Sequence, residues 1–237
     1  MSNAVRAEIY KLENSKMLRA FLIVTIIVSL GALATRYLVY VLPVLSYLII
    51  FMLAVFTSFN VPAGFANGVY RNAIASGTQR WRLYFAKLAS SFLAGSCMVA
   101  AATVILSIGA IFSGGWARPY TPDSAAVAFL AYLLFLCAYT TVFNMVSFLV
   151  RRQGAVMAVN LFIYFAELIA STTFRDAGSL SLLPSTYIAA LFPQPFSASF
   201  YSGQLFDTLL KGLILAAATV GIAAAAGCLA FKNSEIR

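Results

Sequence analysis

The 237-residue chain has no histidine, seven acidic residues and three cysteines. The absence of histidine excludes Ser/His/Asp and Cys/His catalysis and histidine-based metal sites. The cysteines, Cys97, Cys137 and Cys228, lie within apolar runs and outside any CxxC or Cys/His spacing. They are interpreted as small buried hydrophobic side chains, and neither a disulfide framework nor a metal site is predicted.

Charged residues are also scarce, at 10% of the chain, whereas 62% of the residues are hydrophobic. Soluble domains carry about 25% charged residues. No water-soluble fold of this size could bury so much apolar surface, and the apolar content is too high for a disordered chain. The composition therefore predicts an integral membrane protein, and the length suits several spans.

Six segments have the roughly 20 mostly apolar residues that a helical span requires. The predicted spans are residues 18–35, 38–62, 83–112, 125–150, 155–173 and 207–231. These runs are too long, and alternate too rarely, to be barrel strands. The predicted fold is an all-α polytopic membrane protein with a single transmembrane domain, residues 1–237.

The basic residues indicate an orientation. The net charge is +9, from 16 Lys and Arg against 7 Asp and Glu. With the amino terminus in the cytoplasm, twelve basic residues fall inside, and four fall outside: Arg36, Arg118, Arg175 and Lys211. Cytoplasmic loops carry the excess of Lys and Arg, so both termini are predicted to be cytoplasmic in a plasma-membrane protein. The basic excess is interpreted as topology and contact with lipid headgroups, not as nucleic-acid binding.

Residues 1–17 precede the first span and lack the cleavage site of a signal peptide. Val5, Ile9 and Leu12 share one helical face, and most of the charges lie on the remaining circumference. This pattern favours an amphipathic helix in the membrane interface. The alternative is a solvated charged tail.

Residues 67–82, between the second and third spans, form a polar and basic cytoplasmic segment that contains helical material. Gly68 and Gly77 bracket about two turns, and Gly77 followed by Thr78 predicts a helix stop and a new helix capped by Thr78. The short helix is expected to present three side chains to a partner: Tyr70, Arg71 and Ile74.

Residues 174–206 form a long outer segment before the last predicted span. Its apolar stretch Leu180–Phe192 is too short to span the membrane and too apolar for an open loop. One or two re-entrant or interfacial helices are predicted there, the alternative being a surface loop with aromatic anchors.

Three motifs resemble those of type-2 ABC exporter permeases. The run Gly68-x-x-Arg71-Asn72-x-x-x-x-Gly77-x-x-Arg80, followed by Tyr84 and Lys87, resembles their coupling region. Glu8-x-x-Lys11-Leu12-x-x-Ser15-Lys16 resembles their interfacial amino-terminal helix, and Phe231-Lys232-x-x-Glu235-Ile236 resembles their carboxyl-terminal tail. The six-span layout agrees over the whole chain. Gly64 departs from the pattern, because the family often has an acidic residue near that position.

The resemblance implies a half-channel. A second permease subunit, identical or a related paralogue, would face this one, and a cytoplasmic ABC ATPase dimer would bind beneath. The implied ATPase-coupling residues are Gly68, Tyr70, Arg71, Asn72, Ile74, Gly77, Thr78 and Arg80. The chain has no phosphate-binding loop of the Gly-x-x-x-x-Gly-Lys-Ser/Thr type, so it is predicted not to be an enzyme or to hold a cofactor. ATP and Mg would be bound by the partner ATPase.

The resemblance also implies a substrate class. Small six-span permeases of this family include bacitracin- and lantibiotic-resistance exporters and phenol-soluble-modulin exporters. Hydrophobic or amphipathic peptides, including peptide antibiotics, are therefore the expected substrates.

Glu167 is the only acid well inside a predicted span, and an intramembrane carboxylate is by default a functional candidate. It is expected either to line the substrate pathway and attract a cationic substrate, or to pair with Arg175 or reach water. Asn144 and Asn160 also lie within spans, where amides are expected to bond across helices.

Three other classes of function compete with an ABC permease. A secondary transporter would be expected to show inverted repeats and paired intramembrane charges. A membrane-embedded enzyme would need convergent catalytic groups. A non-transporting assembly factor is also consistent with the spans, but the coupling-like segment disfavours it.

Overall fold

The computed structural model of the protein describes residues 2–34, 38–112, 122–173 and 204–233. Its helices, numbered in chain order, are α1 (Ser2–Glu13), α2 (Lys16–Ala34), α3 (Leu38–Ala66), α4 (Val69–Ala75), α5 (Arg80–Phe112), α6 (Pro122–Val150), α7 (Gln153–Thr173) and α8 (Gln204–Asn233). No strand occurs in the described ranges. The all-α class predicted from the sequence is confirmed for this part of the chain.

Four of these helices contain a stretch long and apolar enough to cross a membrane. The stretches are Tyr47–Ala66, Arg80–Ile105, Tyr132–Val150 and Leu213–Lys232. A fifth candidate span arises if Val5–Glu13 and Lys16–Gly31, which meet at 59°, are counted together. The apolar stretch Gln153–Ile169 of α7 is shorter. The described residues thus provide four to five candidate spans, and the count of six stays a prediction.

The predicted spans coincide closely with helices. Those at 38–62, 83–112, 125–150, 155–173 and 207–231 fall within α3, α5, α6, α7 and α8, and the first overlaps α2. The coupling segment 67–82 contains α4. The predicted re-entrant segment 174–206 lies almost wholly outside the described residues.

Most of the buried core comes from α3, α5 and α6, with contributions from α1, α2, α7 and α8. Side chains such as Leu53, Met98 and Phe135 are fully buried. Hydroxyl groups among them donate to the carbonyl four residues earlier, which satisfies them without water. The buried residues with this bond are Thr25, Ser29, Thr57, Ser58, Thr140, Thr141 and Ser147.

Two amides connect neighbouring helices inside this core. Asn160 Nδ2 on α7 donates to Ser58 Oγ on α3 at 2.9 Å, and Ser91 Oγ on α5 donates to Asn144 Oδ1 on α6 at 3.5 Å. Both asparagines are completely buried. The predicted cross-helix bonding of Asn144 and Asn160 is therefore confirmed.

Helix α1 lies against α5 and turns sharply into α2. Ser15 Oγ accepts the backbone N–H of Leu18 at 3.3 Å, so Ser15 caps the first turn of α2. The apolar face predicted for α1 packs in part on protein, since Leu12 is buried in the core while Val5 and Ile9 are half-buried. The amino-terminal segment is thus a docked helix rather than a free tail.

Several helix ends meet at one end of the bundle. Phe65 near the end of α3, Phe148 near the end of α6 and Phe231 near the end of α8 pack on one another at 4.8–6.0 Å between ring centroids. Tyr84, near the start of α5, packs on Phe148 at 4.9 Å. We call this the α4 end of the bundle, because α4 is attached there.

Candidate functional site: the helix junction at the α4 end

Two glycines delimit α4. Gly68 has φ +66° and Gly77 has φ +88°, values that side-chain-bearing residues rarely adopt. At the carboxyl end, Gly77 N–H donates to Ile74 O at 2.9 Å and Thr78 N–H to Ala73 O at 3.0 Å. This pair of bonds is a Schellman motif. The helix stop predicted at Gly77 is confirmed.

The predicted cap of the next helix is displaced by one residue. Helix α5 begins at Arg80, so Gln79 directly precedes it, and Thr78 instead completes the turn that closes α4. The expectation that Thr78 caps α5 is therefore wrong. Gln79 O accepts the first backbone bonds of α5, from Arg82 N–H at 3.0 Å and Leu83 N–H at 3.4 Å, which places the cap position at Gln79.

Arg80 connects α5 with the carboxyl end of α8. Its Nη1 donates to Lys232 O at 3.0 Å and Phe231 O at 3.4 Å. Carbonyls in the last turn of a helix lack intrahelical partners, and a guanidinium there also interacts favourably with the helix dipole. Arg80 thus fastens α8 to the junction and is engaged within the chain.

Tyr70 lies at the centre of the junction and is 2% exposed. Its hydroxyl donates to Val61 O on α3 at 3.3 Å, and its ring packs on Phe65 at 4.6 Å. The expectation that Tyr70 is presented to a partner is wrong. Ile74 is half-buried against the same cluster, whereas Arg71 and Asn72 are exposed.

The rings around Tyr70 form what we call the aromatic cluster: Phe65, Tyr70, Tyr84, Phe148 and Phe231. Its members come from α3, α4, α5, α6 and α8, and several pairs have edge-to-face geometry. Such pairs contribute about 0.5–1.5 kcal/mol each beyond the area they bury. The Tyr70 ring therefore holds α4 to α3, α6 and α8, and Tyr84 of α5 joins the cluster through Phe148.

The cluster depends on two glycines that leave room for tyrosine rings. A Cβ at Gly64 would lie 2.5 Å from Tyr70 Cζ, and a Cβ at Gly227 would overlap Tyr84 Oη. A carboxylate side chain in place of Gly64 would occupy the space of the Tyr70 ring.

An ion pair joins α1 to the same junction. Lys87 Nζ on α5 lies 2.7 Å from Glu8 Oε2 on α1 and donates to Asn60 Oδ1 on α3 at 2.9 Å. The side chains of Lys87 and Glu8 are 5% and 12% exposed. Lys11 approaches the other oxygen of Glu8 at 3.0 Å from a largely exposed position. The sequence placed Lys87 among the cytoplasmic charges and beside the coupling-like motif, but did not indicate its partners Glu8 and Asn60.

The electrostatics agree with a charged Glu8 beside a neutral Tyr70. Burial disfavours the Glu8 carboxylate, but the charge of Lys87 and hydrogen bonds from Lys87 and Lys11 outweigh it and lower the pKa of Glu8. Burial, and then the negative charge of Glu8, raise the pKa of Tyr70 well above its usual value. The phenol therefore remains a neutral donor to Val61 O.

Glu167, the predicted substrate-pathway residue, lies on α7 away from this junction. Its side chain is 6% exposed within this subunit. Its alternative partner Arg175 lies outside the described residues. Within the described part of the chain, no group of three His, Cys, Asp or Glu residues could hold a metal ion.

The fold and the junction define a helical membrane protein whose helices are joined at one end by a short docked helix. Residues 8–237 match the model of a family described as "Protein of unknown function (DUF2705)", and the chain belongs to this family. No curated protein matches the chain.

Proposed function

We propose that the chain is the six-span permease subunit of an ATP-driven ABC-type exporter, with both termini in the cytoplasm. A partner ATPase dimer would dock on the exposed side of α4, and a second permease subunit would complete the pathway. The observation that carries this proposal is the two-sided character of α4. One side is fixed to the bundle by buried Tyr70, and the other exposes Arg71 and Asn72.

This arrangement supports a coupling role on mechanical grounds. A helix that passes a partner's movement to the spans must be rigid, must be attached to several helices, and must leave a surface free. The paired glycine turns and the Schellman motif make α4 compact. The aromatic cluster connects it to α3, α5, α6 and α8. A surface loop placed there only for topology would need none of these contacts.

The direction of transport and the substrate follow from the resemblance. Hydrophobic or amphipathic peptides would move along a pathway between two subunits, and Glu167 would attract a cationic group. Because no phosphate-binding loop occurs in this sequence, ATP and Mg would be held by the partner.

The proposal is tested by co-expressing the tagged chain with an ABC ATPase encoded by a neighbouring gene. The wild-type chain should retain that ATPase during purification. Charge reversal at the exposed side of α4, Arg71→Glu, should reduce retention by about tenfold, as expected for losing a contact of about 1.4 kcal/mol.

Arg152→Glu is the matched control, because Arg152 is also exposed but lies in the turn between α6 and α7. It should retain the ATPase as the wild type does. Unchanged retention by Arg71→Glu, or a wild-type chain that binds no ATPase, would refute the proposal.

A further inference from the structure

Two anchors of the junction fall on consecutive residues of α3. Asn60 Oδ1 accepts Lys87 Nζ at 2.9 Å, and the carbonyl of Val61 accepts the Tyr70 hydroxyl at 3.3 Å. The first anchor belongs to the ion pair with α1, and the second holds α4. The contacts of these two helices therefore converge on consecutive residues of α3.

Helix α5 contributes one residue to the aromatic cluster and one to the ion pair. Tyr84 belongs to the aromatic cluster around Tyr70, and Lys87 lies three residues later, about one helical turn away. A change in the rotamer or depth of Lys87 would thus disturb both α3 and α5 beside the cluster.

Lys87 is buried and needs a counter-charge to stay in place. Taking an ammonium group out of water costs several kcal/mol unless a partner compensates it. The acid that contacts Lys87 is Glu8, and it comes from a different helix. Without Glu8, the flexible lysine stem would extend toward water and leave Asn60.

We propose that Glu8 and Lys87 are positioning residues for α4. Docking of α1 through this ion pair stabilises the packing of Tyr70, and therefore of α4, against the bundle. This inference rests on the proposed function in one respect, because that function assigns the coupling role to α4. Buried ion pairs contribute little net stability, whereas their best-attested use is to fix one arrangement of helices. Here, Lys87 joins α1, α3 and α5, next to the residue of α3 that accepts the Tyr70 hydroxyl of α4.

The test is limited trypsin cleavage after Arg71 in the full-length chain, reconstituted in lipid nanodiscs without any ATPase. Arg71 is exposed but helical, so cleavage requires α4 to open locally. Mass spectrometry of the new amino terminus at Asn72 measures the rate. Glu8→Gln and Lys87→Met should each accelerate this cleavage by about tenfold.

Control variants distinguish a positioning role of the Glu8–Lys87 pair from a general loss of protein stability. Glu13→Gln removes an exposed acid of the same helix, and Lys11→Ala removes the exposed partner of Glu8. Both should cleave within about twofold of the wild type. The reversed pair Glu8→Lys with Lys87→Glu should restore slow cleavage, because opposite charges again meet at the same place.

Asn60→Ala provides a second measurement if the single charge variants do not fold. It leaves both charges present and removes only the link to α3, and it should accelerate cleavage by about threefold. Single variants that cleave no faster than Glu13→Gln, or a reversed pair that cleaves as fast as a folded single variant, would overturn the inference. Because no ATPase is present, such a result is distinct from a failure of the proposed function.

Discussion

Gly64 on α3 lies directly against the ring of Tyr70 on α4. A methyl group at Gly64 would approach Tyr70 Cζ to 2.5 Å and Tyr70 Oη to 2.8 Å. The absence of a side chain at one position thus defines where the aromatic ring of another helix can lie. The position of α4 depends on the space that Gly64 leaves for the Tyr70 ring as well as on the hydrogen bond from Tyr70 to Val61 O.

Gly64→Ala is therefore expected to destabilise the protein, because the Tyr70 ring must move out of a packed cluster. Overpacking of this kind costs about 1–3 kcal/mol. Thermal unfolding in detergent should show a lower Tm than the wild type. Gly154→Ala is the matched control, since a Cβ there meets nothing within 4 Å. Equal Tm values for the two variants would contradict the packing described for Tyr70.

Gly227→Ala should be destabilising for a related reason, and its effect should depend on Tyr84. The nearest atom to the added methyl group would be Tyr84 Oη, which Tyr84→Phe removes. We expect the double variant to lose less stability than the sum of the two single variants, by about 0.5–3 kcal/mol. Additive losses in chemical or thermal unfolding would show that the two residues are not in contact.

Much of the helical framework is predictable from the sequence because its signals are local. Long apolar runs mark α3, α5, α6, α7 and α8, and a glycine such as Gly77 ends a helix through its own backbone conformation. The hydrogen bonding of Asn144 and Asn160 is predictable for the same reason, since an amide in an apolar span has to find a partner on another helix.

The junction was not predictable in the same way, because its contacts join distant parts of the chain. Helix α4 has seven residues, too few for periodicity to show which side is buried. Tyr70 meets Phe231, and Lys87 meets Glu8, only once the bundle is assembled. One signal was present: Glu8 and Leu12 are four residues apart, which places an acid beside the apolar face of α1.

Ser58→Ala should destabilise the bundle by removing the acceptor of a buried amide. Asn160 Nδ2 donates to Ser58 Oγ at 2.9 Å in a completely buried position. Cross-helix hydrogen bonds in membrane proteins contribute about 0.6 kcal/mol on average and up to about 1.7 kcal/mol. Ser96→Ala is the control, since its hydroxyl donates to Phe92 O of its own helix. Unfolding in mixed micelles should show the larger loss for Ser58→Ala; equal losses would refute the cross-helix role.

Acidification should weaken the docking of α1. The pKa of Glu8 in the folded protein is lowered from its usual 4.5. The ionised carboxylate therefore stabilises the fold above about pH 4.5, and this stabilisation is lost as the pH falls through the lowered pKa. The titratable groups that face the Glu8 carboxylate are Lys87, Lys11 and Tyr70. Between pH 7 and pH 3.5, the Tm of the wild type should fall more than that of Glu8→Gln. Glu13→Gln should behave as the wild type, and a Glu8→Gln variant with the full wild-type pH dependence would contradict this assignment.

The role proposed for Glu167 makes a prediction about substrate charge. A carboxylate that is 6% exposed attracts a cation strongly, because little water screens the interaction. If it faces the pathway of an exporter, Glu167→Gln should reduce export of a cationic amphipathic peptide by about tenfold and spare a neutral peptide of equal length. Export into inverted vesicles that contain the chain and its ATPase measures both, with Glu167→Asp as the charge-retaining control. Equal losses for the two peptides would assign Glu167 to packing within the bundle, and unchanged export would remove it from the pathway.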